Sequence, residues 1–87
     1  MENAPTRKKH KVCENITDLV VGDVLVWDNS SGNSDCVVTK CQPALECDKY
    51  TILAHDTTDA NVVAKSDQFY KCKCHKHAVT DPKLIVK

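Results

Sequence analysis

The chain has 87 residues with Lys and Arg balancing Asp and Glu, six cysteines, and only Trp27, Tyr50, Phe69 and Tyr70 as aromatic residues. A domain this short buries about two-thirds of the surface its unfolded form exposes, so with so little aromatic area it needs cross-links or a metal. Two glycines are too few for a phosphate-cradling loop, which argues against nucleotide-binding enzyme folds, and no apolar run approaches the ~20 residues of a membrane span.

The start, Met1-Glu2-Asn3-Ala4-Pro5, lacks the apolar middle of a secretory signal, so the sequence reads as cytosolic or already processed. Residues 1–12 are polar and aperiodic and are expected to form a disordered basic arm, with residues 13–87 as a single β-rich domain. Within the arm, Arg7-Lys8-Lys9-His10-Lys11 is a candidate nuclear-localisation or phosphate-contacting patch, or a remnant of a dibasic processing site. The other end is also basic, whereas residues 12–70 carry three lysines against ten acids. Nucleic-acid contact would therefore be confined to the ends.

Leu19 to Trp27 is dense in β-branched residues and predicts a strand with a bulge or bend at Gly22-Asp23, stopping at the polar loop 28–35. Cys36 to Cys41 predicts a second strand ended by Pro43, with a short helical turn around Ala44 to Cys47. Tyr50–His55 and Asn61–Lys65 flank Asp56-Thr57-Thr58-Asp59-Ala60, whose short polar side chains predict a hairpin turn. Ser66-Asp67-Gln68 suggests a tight turn. Phe69 to Cys74 alternates with period two, placing Tyr70, Cys72 and Cys74 on one face. A last strand is expected at Leu84-Ile85-Val86. Five to six short strands without an amphipathic helix predict an all-β fold, a small antiparallel barrel or sandwich.

Cys13, Cys36, Cys41, Cys47, Cys72 and Cys74 are even in number and are expected to form three disulfides. Cys72 and Cys74, two apart on one strand face, should take different partners. Two glycosylation acceptors, Asn15-Ile16-Thr17 and Asn29-Ser30-Ser31, fit a secreted origin. The alternatives are reduced thiols buried in a cytosolic core and a zinc ion held by Cys72, Cys74, His75 and His77, although a Cys-x-Cys on a strand splays its thiolates more than the usual cysteine pair does. Cys74 beside His75 or His77 is the only candidate for a cysteine nucleophile, and disulfide bonding is its expected fate. Asp56 and Asp59 suit turn capping better than acid–base chemistry. No enzymatic activity and no resident cofactor are expected.

The basic arm with Arg7-Lys8-Lys9, the β body and six cysteines ending in Cys72-Lys73-Cys74 together resemble small cysteine-rich secreted proteins of the fungal-effector and toxin type. The terminal Cys-x-Cys is similar to that of cystine-knot miniproteins, but the intervals Cys13–Cys36 and Cys47–Cys72 are longer than that family's loops. The resemblance implies a non-enzymatic, monomeric binder of a protein target, acting through loops of a stapled scaffold. The expected surface comprises Asn29, Ser30 and Ser31, then Asp56, Thr57 and Asp59, and the basic residues Lys71, Lys73 and Lys76. The rival reading is a cytoplasmic or nuclear SH3-like barrel module, suggested by Gly22-Asp23-Val24 and Ser66-Asp67-Gln68-Phe69, contacting nucleic acid or a protein and holding zinc.

Overall fold

The computed structural model describes residues 5–75 and 77–87. It contains nine strands and no helix among them: β1 (Arg7–Lys11), β2 (Ile16–Leu19), β3 (Val24–Asp28), β4 (Cys36–Thr39), β5 (Lys49–Ile52), β6 (Thr57–Asn61), β7 (Ser66–Phe69), β8 (Lys71–Cys74) and β9 (Lys83–Val86). They form three three-stranded sheets, ordered β1-β3-β6, β2-β9-β7 and β5-β4-β8. The all-β class is as the residue patterns predict. The strands outnumber the expected five to six, and no sheet closes into a barrel.

Sheet mixing departs from the antiparallel expectation. β1 runs parallel to β3, and β2 parallel to β9, while the remaining pairings are antiparallel. The expected bend in the first apolar run is a turn. Asp23 N–H donates to Val20 C=O at 3.1 Å, and Gly22 sits at φ +98°, the left-handed value a type II turn needs at its third residue. This turn moves the chain from β2 in one sheet to β3 in another.

The arm expected to be disordered over residues 1–12 is a strand from Arg7 to Lys11. Its signal is hidden because the half-buried residues of the alternation are Lys8 and His10 rather than apolar ones. The expected hairpin across residues 56–60 is also corrected. Thr57–Asn61 is β6, paired with β3, while β5 pairs with β4. Thr58 and Ala60 face inward in alternation, and the chain reverses just before them, where His55 adopts φ 61°. Ser66-Asp67-Gln68 belongs to β7 instead of a tight turn. Between β7 and β8, buried Tyr70 transfers the chain to the next sheet, its N–H donating to Pro82 C=O at 2.9 Å. The helical turn expected around Ala44 to Cys47 lies earlier, as one bond from Leu45 N–H to Cys41 C=O at 2.9 Å.

One core joins the sheets. Trp27 and Tyr70 are fully buried with ring centroids 5.1 Å apart, surrounded by Ile16, Leu19, Leu25, Leu45, Ile52 and Leu84. Two large aromatics buried in this way each contribute about 4–6 kcal/mol as an upper bound from area alone. The Tyr70 hydroxyl donates to Glu14 C=O at 2.7 Å, whereas Trp27 Nε1–H is buried without a partner among the described residues.

Candidate binding surface and sulfur cluster

Asn29, just past the end of β3, organises a hydrogen-bonded loop surface. Its side-chain amide donates to Ser34 C=O at 2.9 Å, Ile52 C=O at 3.2 Å and Leu53 C=O at 3.1 Å, sharing two hydrogens among three acceptors. Its backbone C=O accepts from Gly32 N–H and His55 N–H, both at 3.0 Å, and its N–H donates to Asp56 C=O at 2.9 Å. Asp35 adds a further tie by accepting from Ala54 N–H at 2.9 Å. The loop after β3 and the reversal before β6 are thereby welded into one surface. On it, Ser30, Ser31, Leu53, His55 and Asp56 are exposed.

Asn29 itself, expected on the binding surface and as a glycan acceptor, is 4% exposed. With both amide hydrogens used internally, it offers nothing to a partner or a glycan. Asn15 remains exposed, and only its Oδ1 is engaged, accepting from Lys83 N–H at 2.9 Å. The sequence gives one clue to the weld, the Asn-x-x-Gly spacing from Asn29 to Gly32. A Cβ at position 32 would overlap the Asn29 side chain.

Thr57 and Asp59 are exposed on β6, and Asp59 is engaged by a two-pronged pair with Arg7, at 2.9 Å on each oxygen. Of the other basic residues of β1, Lys8 and His10 are likewise paired, while Lys9 and Lys11 are exposed. Lys8 Nζ lies 2.8 Å from buried Asp23, and His10 Nε2 lies 2.8 Å from Asp18. The hydrogen bond from Lys8, with a second from Val20 N–H, holds the Asp23 carboxyl below the ordinary carboxylate range. Asp28 is lowered too, chiefly by hydrogen bonds from Ser30, with Lys9 and Lys11 adding attraction. A phosphate approaching β1 would therefore meet Arg7, Lys8 and His10 already paired, with Lys9 and Lys11 exposed.

Lys71 and Lys73 project from β8 on the outer face of the third sheet, opposite Thr39 and Val37 of β4. Lys71 pairs with Asp81 at 2.7 Å, and Lys73 donates to His77 C=O at 2.9 Å. Both line an open apolar depression of about 240 Å³ with Val37, Thr39, Cys72 and Val79. Lys76, expected on this surface, lies outside the described residues.

The cysteines give two disulfides, Cys13–Cys72 and Cys36–Cys74, where three were expected. Cys72 and Cys74 do take different partners. Cys36 stands directly opposite Cys74 across the β4–β8 ladder, and Cys13 joins them from the end of β1. Cys41 and Cys47 are free thiols. Burial, aided by Asp48 and Cys47, pushes the Cys41 thiol up to about 12, so it stays protonated at neutral pH. Burial likewise raises the Tyr50 hydroxyl to about 12, and it accepts a hydrogen bond from Cys47 N–H at 3.1 Å.

The set Cys72, Cys74, His75 and His77 is not assembled as a ligand group here. Both sulfurs are bonded elsewhere, and His75 is exposed, its backbone N–H donating to Asp35 C=O at 3.3 Å. His77 instead lines a pocket of about 310 Å³ with Val12, Cys13, Cys74, Ala78 and Thr80. No helix among the described residues is long and apolar enough to cross a membrane. No protein-family model, curated protein or solved structure matches this chain.

Proposed function

We propose that the chain is a secreted, non-enzymatic, monomeric binding protein that engages a protein target through the welded loops around Ser30, Ser31, Leu53, His55 and Asp56. The Asn29 weld is the observation that carries this reading. Loops held rigid in the free protein lose little conformational freedom on association, so their contacts translate into affinity. Leu53 is 53% exposed within a polar surround, an arrangement suited to an apolar anchor with a hydrogen-bonding rim. The basic outer face of β8, with Lys71 and Lys73, extends the recognition surface toward acidic partners.

Two disulfides fit the oxidising compartments in which such bonds persist, and agree with the resemblance to cysteine-rich secreted proteins. Cys74, the cysteine that the sequence sets beside histidines, has its sulfur bonded to Cys36. The pairing of Arg7, Lys8 and His10 leaves β1 fewer charges for the rival nucleic-acid module, and the three open sheets do not supply its SH3-like barrel.

Photo-crosslinking tests the reading directly. A crosslinker at Ser31 should capture a saturable partner from extracellular protein extract, competed by unlabelled chain but not by a Leu53→Asp variant of unchanged Tm. Equal competition by Leu53→Asp, or the same capture from a crosslinker at Lys87, would sink it. Steeply salt-dependent binding to RNA or DNA would favour the intracellular module instead.

A further inference from the structure

We propose that Cys13, Cys36, Cys72 and Cys74 form, once both disulfides are reduced, a tetrathiolate site for a single zinc ion. The site is separate from the welded loops and does not depend on their role. In tetrahedral zinc–thiolate coordination the bonds are about 2.3 Å, which sets neighbouring sulfurs about 3.8 Å apart. Cys13 Sγ and Cys74 Sγ, which are not bonded to each other, already lie 3.8 Å apart. The sulfurs of Cys13, Cys72 and Cys74 are all within 4.8 Å of one another, and Cys36 is bonded to Cys74. Three sulfurs thus occupy one small volume, and Cys36 reaches its edge through the bond to Cys74.

The backbone converges on the site from three elements, so that after reduction side-chain rotation has to part the sulfurs that were bonded. Cys72 and Cys74 point to the same side of β8, Cys36 faces Cys74 from β4, and Cys13 arrives from the end of β1 at φ 67°. A Cys-x-Cys alone splays its thiolates, but here the facing strand and the end of β1 supply the two ligands that the motif cannot. Cys36 and Cys72 are buried, while Cys13 and Cys74 open onto the pocket lined by His77 and Thr80. That pocket gives reductant and ion a route in.

The exchange balances. Each disulfide takes two electrons from a dithiol or a phosphine, and two protons from the dithiol or, with the phosphine, from the water whose oxygen forms the phosphine oxide, its S–S bond breaking to give two thiols. Zinc then displaces the four thiol protons and forms four Zn–S bonds. Two equivalents of a disulfide oxidant, together accepting four electrons and taking four protons from solvent to become thiols, reverse the sequence, re-forming both S–S bonds and releasing the ion.

Cobalt substitution in the full chain, reduced anaerobically with a phosphine, tests the site. One equivalent of Co²⁺ should give the visible bands of tetrahedral coordination and a charge-transfer intensity corresponding to four thiolates, both abolished by one equivalent of Zn²⁺. The Cys41→Ala/Cys47→Ala variant should give the same spectrum. Cys13→Ser and Cys36→Ser should each reduce affinity at least 100-fold. Alkylation of the reduced wild type keeps the test independent of how those variants fold: zinc should protect Cys13, Cys36, Cys72 and Cys74 and leave Cys47 reactive. The proposal fails if the reduced chain shows no such bands, if zinc does not protect those four thiols, or if three thiolates bind and His77→Ala, rather than Cys36→Ser, weakens the site.

Discussion

Asn29 is a side chain whose type matters more than its charge. Replacing it with Ala leaves the Ser34, Ile52 and Leu53 carbonyls without their donor, a loss of about 1–3 kcal/mol for an unsatisfied buried group, which a urea titration would read. Gly32→Ala should destabilise for the same reason, by driving the added Cβ into the Asn29 amide. Gly22→Ala meets no atom within 4 Å, so its cost, about 1 kcal/mol, comes from the left-handed backbone alone. Asp23 sets a pH dependence. Its folded carboxyl is held below the unfolded value, so in mild acid the unfolded chain binds the proton first. The stabilisation is therefore complete above the unfolded carboxyl value of about 4 and is lost as pH falls through the lower folded one. Urea midpoints measured from pH 7 to pH 2 should fall less steeply for Asp23→Asn than for wild type.

At the scale of elements, the strands that carry their own apolar signal were legible and those that borrow it were not. Val24–Trp27 and Leu84–Val86 announce themselves by β-branched residues, and the alternation from Tyr70 to Cys74 places both cysteines on the inner face correctly. β1 and β6 are extended because of partners far away in sequence. Arg7 finds Asp59, Lys8 finds Asp23, and both strands flank apolar β3; read locally, the same residues resemble an arm and a turn. Cysteine parity misled in a similar way, since it cannot show that Cys41 is enclosed in the core. Cys47 should react with iodoacetamide in the folded protein, and Cys41 only on unfolding; equal rates would show that the 41–48 loop opens independently. The weld at Asn29 was hidden because it depends on Ile52 and Leu53 coming alongside.

For the whole molecule, the two disulfides span 59 and 38 residues, and in the chain-entropy account each stabilises by about 4 kcal/mol. Because the loops overlap, the two contributions should not add. Cys13→Ala/Cys72→Ala should lower stability by several kcal/mol, measured by denaturant titration, and losing both bridges in the absence of metal should leave no cooperative transition. Intact mass of the native chain should be four hydrogens below its reduced value, with two thiols alkylated after denaturation; six thiols would overturn the pairing. The placement of β1 has a further consequence. This strand shields one edge of Val24-Leu25-Val26-Trp27, a segment whose backbone could otherwise pair with another molecule. Its attachment relies partly on ion pairs that salt screens. Concentrated salt, or proteolytic removal of residues 1–11, should therefore turn a well-behaved chain into one prone to edge-to-edge self-association, so that the charged N-terminal strand serves as a guard against aggregation.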